Sequence, residues 1–268
     1  MPPPPLEGTA TIPSEPPSPP SPTVAPLTAT PTATPAGALT PTPGIVPSPS
    51  PNAFRPPPVT WLDDFLGVAV DARYAKSVWG TGAIGLAAGS DAGGTLVLST
   101  TAAGAGVARL RFGEDPKTGL FDVQNFSAAK NVVLEARVRF NTATQAAYTV
   151  GFVGPGDPAH VLAAIYNSSV NREWGFQANN DSARTYAGPG TGFVHRADTW
   201  HTFRFVTQGG ATPRAALFID GVERAAVSGA AIPATGLVPE LQVWNKQAGN
   251  VWSAATLQVD YLRIEQDR

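Results

Sequence analysis

The chain has 268 residues, of which 28 are proline, 27 are glycine and none is cysteine. Because 18 lysines and arginines stand against 20 acidic residues, the formal charge is -2, which excludes the basic surface expected of proteins that bind nucleic acid or anionic lipid. The lack of cysteine excludes disulfides, zinc-thiolate sites and cysteine nucleophiles, and no apolar run approaches the ~18 residues that a membrane-spanning helix needs.

Residues 1–58 hold 21 of the 28 prolines. Each proline ring removes a backbone donor and fixes φ, so this stretch cannot form helix interiors or central strands. We predict an extended proline-rich arm, which is interpreted either as a solvated spacer or as an arm that lies along a partner surface. Its start, Met-Pro-Pro-Pro-Pro, lacks the charged and apolar regions of a secretory signal, so we expect either no export by that route or a signal outside this chain.

Residues 59–268 fit a single domain in which apolar residues alternate with period two between Gly, Asn and Asp. The clearest strand is 131–140, where five apolar side chains share one face and Glu135, Arg137 and Arg139 share the other. Further strands are predicted at 95–100, 107–112, 147–153, 161–166, 173–178, 199–207, 214–219, 222–227, 241–245 and 256–265. The pattern predicts an all-β fold, a two-sheet antiparallel sandwich of the jelly-roll kind.

Two local features refine this prediction. Asp220-Gly221 lies between two predicted strands and predicts a tight hairpin with a type I′ turn, because both residues tolerate positive φ. In the last strand, the apolar positions change parity between Tyr261 and Leu262. A β-bulge, or burial of both faces of the strand, would explain this change.

Four segments of the domain carry a resemblance. A Trp-His strand at 200–205, a hairpin ending in Asp-Gly at 217–221 and a closing Val-Asp-Tyr strand at 259–264 follow an opening Trp-Leu-Asp-Asp-Phe segment at 61–65. This order resembles that of concanavalin A-like lectins and glucanases, over most of residues 61–265. The resemblance implies a jelly-roll sandwich in which the first strand pairs beside the last one.

The catalytic residues of the similar enzymes have no counterpart in this sequence. Family 16 glycoside hydrolases, which the chain resembles, carry Glu-x-Asp-x-x-Glu or Glu-x-Asp-x-Glu on one strand, with spacing suited to a retaining mechanism. Here the strand at 131–140 has only Glu135, Glu173 stands alone, and Asp220 and Glu223 flank a turn. The related lyases need Arg, Gln, His and Tyr on the concave face, and no strand motif places them together. We therefore predict a non-catalytic member.

The resemblance also implies a structural calcium ion on the convex side of the sandwich. In similar proteins the carboxylate of the closing strand helps to hold such an ion, and Asp260 matches that position. Calcium prefers several hard oxygens, and Asp63 or Asp64 on the adjacent first strand would supply others. The alternative interpretation of these three residues is a solvated polar face. No other cofactor is expected.

Sugar binding needs an aromatic side chain close to hydrogen-bonding groups. Two sets of residues meet this requirement, namely Trp174 with Asn179, Asn180, Asp181 and Tyr186, and Trp244 with Asn245, Asn250 and Trp252. Trp174 shares its parity with Phe176, which favours a core position for that tryptophan. Trp244 does not share the parity of its apolar neighbours, which indicates that it faces outward.

Two functions fit these features. The first is a non-enzymatic virion structural protein, a bacteriophage capsid-decoration, head-fibre or tail component, whose residues 1–58 attach a lectin-like sandwich to capsid or tail proteins at the virion surface. The lack of a secretory signal, of cysteine and of a catalytic set suggests it. The second is an extracellular bacterial carbohydrate-binding module or lectin on a cell-surface linker. Cell-surface glycans and an oligomer or larger assembly are expected as partners, whereas nucleic acid and membrane are not.

Overall fold

A computed structural model describes residues 58–88, 93–112, 126–141, 144–154, 160–167, 173–180, 183–234 and 236–267. Within these ranges the regular structure is β-strand apart from one short 3-10 helix, Ala128–Lys130. A membrane-crossing helix of sufficient length and hydropathy is not found in the described ranges. The predicted arm, residues 1–58, lies outside them except for Pro58, so both the arm and the division of the chain at this point stay predictions.

The strands are β1 (Val59–Asp63), β2 (Tyr74–Gly80), β3 (Ala83–Ala88), β4 (Gly94–Thr100), β5 (Gly106–Phe112), β6 (Val132–Phe140), β7 (Ala146–Val153), β8 (His160–Asn167), β9 (Glu173–Asn180), β10 (Ala183–Val194), β11 (Trp200–Gln208), β12 (Arg214–Ile219), β13 (Val222–Ser228), β14 (Val238–Asn245), β15 (Gln247–Ala248), β16 (Val251–Trp252) and β17 (Ala255–Gln266). Every strand predicted from the alternation is present. The structure adds β2, β3, β10 and the short β15–β16 pair.

The strands form two antiparallel sheets. The eight-stranded sheet has the order β13-β12-β11-β6-β17-β4-β3, with β1 also paired to β17, and the seven-stranded sheet has the order β10-β9-β8-β7-β14-β5-β2. As predicted, the first strand pairs with the last one, with Val59 opposite Gln266. The all-β jelly-roll sandwich predicted from the sequence is therefore confirmed.

The core lies between the two sheets and is rich in aromatic side chains. On β6 the predicted inward residues are all buried, from Val132 to Phe140, and the side chains between them face outward. The ring of Phe140 lies 4.7 Å from that of Tyr148, 4.9 Å from Trp174 and 6.0 Å from Phe203, measured between ring centres. Contacts of this kind join the sheets through their largest side chains, which bury the most apolar area.

Both local predictions are confirmed. Asp220 and Gly221 have φ values of 52° and 78°, which a type I′ turn requires. In β17 the pairing with β6 shifts between Val259 and Tyr261, so the parity change comes from a β-bulge. The bulge turns Asp260 and Tyr261 to the outer surface together, where the Tyr261 hydroxyl donates to Glu135 at 2.8 Å. Burial, followed by this hydrogen bond, raises the pKa of Tyr261 to about 12.

Gly151 on β7 allows β7 and β8 to approach closely. Its φ is +149°, and a Cβ at this position would lie 2.6 Å from the Cα of Ala163. We expect Gly151→Ala to lower the free energy of unfolding by roughly 2 to 4 kcal/mol, because the backbone is strained and the methyl group overlaps β8. Urea denaturation measures this loss. Gly85→Ala on β3 is the control, since no atom lies within 4 Å of its Cβ position; equal effects of the two changes would contradict the prediction.

Candidate functional site

The outer face of the seven-stranded sheet carries two tryptophans in one row across the strands. Trp79 on β2 lies opposite Val107 on β5, and Val107 lies opposite Trp244 on β14. These side chains point away from the core because their neighbours Ala108 and Val243 point into it. Trp79 is 64% exposed and Trp244 is half-buried. The row therefore presents two indole rings to solvent near one edge of the sheet.

The next row along the same strands is polar. It contains Ser77 on β2, Arg109 on β5 and Gln242 on β14, which lie directly opposite one another. An Arg109 amino group lies 3.5 Å from the Ser77 hydroxyl, which is a weak hydrogen bond at best. We call these two rows, Ser77, Trp79, Val107, Arg109, Gln242 and Trp244, the tryptophan–arginine patch.

A buried ion pair lies beside the patch in the third row. The Arg111 Nε donates to the Glu240 Oε2 at 2.7 Å, and the two side chains are only 8% and 5% exposed. The two residues lie opposite each other on β5 and β14. Since a buried charge needs a partner, this pair fixes the two neighbouring strands relative to each other.

Small side chains occupy the middle of the same face. Ala147, Thr149 and Gly151 point outward from β7, and Ala163 lies opposite Gly151 on β8. Longer side chains flank them, with Gln242 and Trp244 on one side and Gln177 and Asn179 of β9 on the other. The Oδ1 of Asn179 is buried and accepts no hydrogen bond from the described residues. These small residues, which we call the small-residue strip, lie between polar and aromatic borders and are themselves buried.

The charges near Trp244 are mainly positive. The Lys246 ammonium lies 5.7 Å from the centre of the Trp244 ring, close enough for a cation–π contact. Partial burial lowers the pKa of Lys246. Glu240 is paired with Arg111. Among the described residues, Arg109 has no carboxylate within salt-bridge distance, and its one hydrogen-bond contact is with the Ser77 hydroxyl.

The strands described in this sheet contribute two carboxylates to the outer face, Glu173 on β9 and Glu240 on β14. Three strand spacings separate β9 from β14, and Glu173 lies four residues along β9 from Gln177, which shares the row of Glu240. The two carboxylates are therefore roughly 20 Å apart. Glycosidases that use two carboxylates hold them within about 5 to 10 Å of each other. Such a mechanism on this face would therefore need a further carboxylate close to one of these two.

The prediction of Trp174 as a sugar platform is wrong. Its side chain is fully buried, with the ring centre 4.8 Å from that of Phe203 in the opposite sheet. The parity shared with Phe176 was the correct signal, because both residues point into the core from β9. Trp174 is a core residue and presents no face to a ligand.

Asn245 is also structural. Its Oδ1 accepts from the backbone N–H of Gly106, and its Nδ2 donates to the carbonyls of Thr101 and Gly104, each at 2.8 Å. These bonds use the amide to hold the loop between β4 and β5. The prediction of Asn245 as a sugar-binding residue is therefore wrong.

The other predicted sugar-binding residues that the structure describes fall into two separate groups, one at the end of β9 and one in the β15–β16 hairpin. Asn180 donates to the carbonyl of Ala230, whereas Asn179 faces outward at the far side of the small-residue strip. Trp252 and exposed Asn250 belong to the β15–β16 hairpin, which follows β14 at the end where Trp244 lies. Asp181 lies outside the described residues, as does the side chain of Tyr186, so their roles stay predictions.

The three aspartates proposed as calcium ligands have other contacts. Asp260 accepts from Arg137 at 2.7 Å, and Asp63 accepts from the backbone N–H of Phe65 at 2.8 Å. Asp64 is exposed. Across the part of the chain that the structure describes, no group of three or more His, Cys, Asp or Glu side chains is placed to hold a metal ion. The calcium site therefore stays a prediction that the described side chains do not support.

Sequence reasoning missed Trp79 and Arg109. Arg109 lies in a predicted strand, 107–112, in which Ala108, Leu110 and Phe112 form the core face. Reading the opposite face of that strand would have identified Arg109 as an outward cation. Trp79 gave no such signal, because both faces of β2 are exposed after Ala75 and no alternation marks the strand.

No protein-family model matches the chain, and neither does any curated protein. Solved structures do match. The carbohydrate recognition domain of Emp47p is 9% identical, with 79% of this chain and 98% of that chain covered and a TM-score of 0.52. An endo-β-1,3-glucanase from Pyrococcus furiosus is 13% identical, with 78% and 94% covered and a TM-score of 0.53. A lichenase from a mouse hindgut metagenome is 16% identical, with 78% and 98% covered and a TM-score of 0.51.

These similarities overturn the prediction that the chain is not an enzyme. Several of the similar structures are glucanases or other glycoside hydrolases, and another is a carbohydrate recognition domain. The fold is thus compatible with either a lectin or a hydrolase. The lack of the Glu-x-Asp-x-x-Glu or Glu-x-Asp-x-Glu motif was not sufficient to exclude catalysis. At these identities the likeness establishes the fold alone. The described part of the chain has the jelly-roll sandwich fold that these structures share.

Proposed function

We propose that the chain binds a glycan on the outer face of its seven-stranded sheet. The observation that carries this proposal is the row of two outward-facing tryptophans, Trp79 and Trp244. They lie two strand spacings apart, roughly 10 Å. Two indole rings at this distance are suited to stacking against the apolar faces of separate sugar units in one chain.

Residues next to these rings supply the hydrogen-bonding groups that sugar recognition also needs. Arg109, Gln242 and Ser77 place hydrogen-bonding groups in the adjacent row. The neighbouring small residues of β7, Ala147, Thr149 and Gly151, are buried, so the exposed part of the proposed site is the tryptophan–arginine patch itself. Aromatic platforms with a few convergent polar groups are the usual composition of small-molecule and sugar sites. The likeness in fold to a carbohydrate recognition domain and to glucanases supports the same function.

Glycan-array binding of the intact chain, followed by titration calorimetry on the best ligand, tests this proposal. We expect Trp244→Ala and Trp79→Ala each to weaken binding by roughly tenfold or more, as loss of an aromatic anchor does at other interfaces. Trp200→Ala is the matched control. Trp200 lies on the outer face of the other sheet, where Arg137 and Arg139 lie over its ring at 5.3 and 5.1 Å.

An array without ligands, or equal losses from all three variants, would refute a site on this face. Release of reducing sugar is measured on the same ligands, because the fold is also that of hydrolases. Turnover that Trp244→Ala reduces would place a hydrolytic site on the proposed face. Binding without turnover would indicate a lectin-like role.

The sequence also suggests a biological setting, which stays a proposal. In one hypothesis residues 1–58 attach the sandwich to the capsid or tail of a bacteriophage, and in the other they link an extracellular module to a bacterial cell surface. Both hypotheses depend on residues that the structure does not describe, apart from Pro58. Glycan binding by the sandwich is compatible with either one.

A further inference from the structure

Arg109 is an unbalanced cation at the centre of the tryptophan–arginine patch. It lies one row from both Trp79 and Trp244, and its hydrogen bond to the Ser77 hydroxyl is long, at 3.5 Å. The nearest outward carboxylate on the adjacent strand, Glu240, is paired with Arg111 at 2.7 Å. Within the described residues, therefore, no carboxylate neutralises Arg109.

The opposite sheet shows how arginines are otherwise placed on this molecule. Arg137, Arg204 and Arg263 each lie within 4.0 Å of a carboxylate, namely Asp260, Glu135 and Glu265. Arg139 donates to the Gln258 side chain at 2.6 Å and lies over the ring of Trp200. The guanidinium of Arg109 differs because it has neither a short polar contact nor an aromatic ring against it among the described residues.

Lys246 adds to the positive potential beside Trp244. The charged groups that β2, β5 and β14 turn to the outer face are Arg109, Arg111 and Glu240, so this part of the face has an excess of positive charge. The whole chain has a charge of -2, so the excess is local and does not follow from a basic composition. A local excess of this kind favours an anionic ligand.

We infer that the glycan bound at this face is an acidic one, in which Arg109 pairs with the carboxylate of a uronic acid unit while Trp79 and Trp244 stack against the sugar rings. This inference rests on the proposed glycan-binding function. The planar fork of a guanidinium matches a carboxylate with two parallel hydrogen bonds, which gives geometric selectivity as well as charge attraction. A neutral sugar would leave that fork without an ionic partner.

The test compares polysaccharides that differ only in charge. Polygalacturonate and alginate are titrated against the intact chain beside their methyl-esterified or carboxyl-reduced forms, with laminarin as a neutral glucan and dextran sulfate as a general polyanion. We expect the uronate polymers to bind at least tenfold more tightly than their neutralised forms, with the advantage decreasing as salt increases. Arg109→Gln should reduce uronate affinity about tenfold and leave the affinity for neutralised polymers unchanged.

Arg139→Gln is the matched control, because Arg139 also lies beside a tryptophan but on the other sheet. Thermal unfolding of both variants checks that they fold. Preference for neutral glycans, or no effect of Arg109→Gln on uronate binding, would overturn the inference and leave glycan binding intact. Equal binding of dextran sulfate would also overturn it, since it would indicate unselective attraction of polyanions. Failure of every polymer to bind would instead refute the proposed function.

Discussion

Replacing Glu240 by alanine is expected to lower the free energy of unfolding by roughly 3 to 5 kcal/mol, one of the two largest single effects that we predict. The reason is the burial of its partner. Arg111 is 8% exposed and donates to Glu240 at 2.7 Å, so the variant removes a carboxylate that a buried guanidinium contacts directly. For a domain of this size the loss corresponds to a decrease in melting temperature of about 10 °C.

A double variant separates the cost of breaking the buried pair from the net value of the pair. Glu240→Leu with Arg111→Leu should recover most of the lost stability, since replacing both members of a buried pair with apolar residues is often neutral. Glu223→Ala is the surface control. Its partner Arg214 lies at 2.6 Å, but the two side chains are 42% and 37% exposed, so we expect a loss of less than about 1 kcal/mol. A Glu240→Ala loss as small as that of Glu223→Ala would contradict the prediction.

Trp174→Ala is expected to cost roughly 3 to 5 kcal/mol by removing the largest fully buried side chain. The ring lies 4.9 Å from Phe140 and 5.6 Å from Tyr166, between ring centres, so a cavity would open among aromatic residues of both sheets. Chemical denaturation monitored by circular dichroism measures the loss.

The same tryptophan provides a contrast with the proposed site. Trp174→Phe keeps most of the apolar volume and should retain the fold, with wild-type affinity for the glycan. Trp244→Ala should show the opposite behaviour, with weak binding and a small loss of stability. A loss of glycan binding in Trp174→Phe as large as that expected for Trp244→Ala would contradict the conclusion that Trp174 serves only in the core.

The alternation of side chains predicted the interior strands of both sheets but not the three edge strands β2, β3 and β10. Strands with one buried face, such as β6 and β11, alternate over their whole length. At the edges this contrast disappears, because β2 is exposed on both faces after Ala75 and β3 is a run of Ala, Ile, Gly and Leu. The edge strand β13 was predicted nevertheless, since the Asp220-Gly221 turn fixes its start.

The candidate site was predicted only in part, because one of its strands is an edge strand without a clear alternation. Trp244 was correctly placed on the outer face by its parity, and it lies on a central strand with a clear core face. Trp79 lies on an edge strand that was not predicted. Asn245 and Trp174 are residue types that often bind sugars. The hydrogen bonds of Asn245 and the burial of Trp174 depend on residues distant in the sequence, so the local sequence could not reveal them.

The pairing of β17 sets the order in which the sandwich can be completed during synthesis. This strand hydrogen-bonds to β6, β4 and β1, and it joins Val59 to Gln266, more than two hundred positions apart in the sequence. Until residues 255–266 leave the ribosome, three strands of one sheet have an unsatisfied edge. We therefore expect slow, non-local folding, with exposed edges in the nascent chain that a chaperone would have to shield.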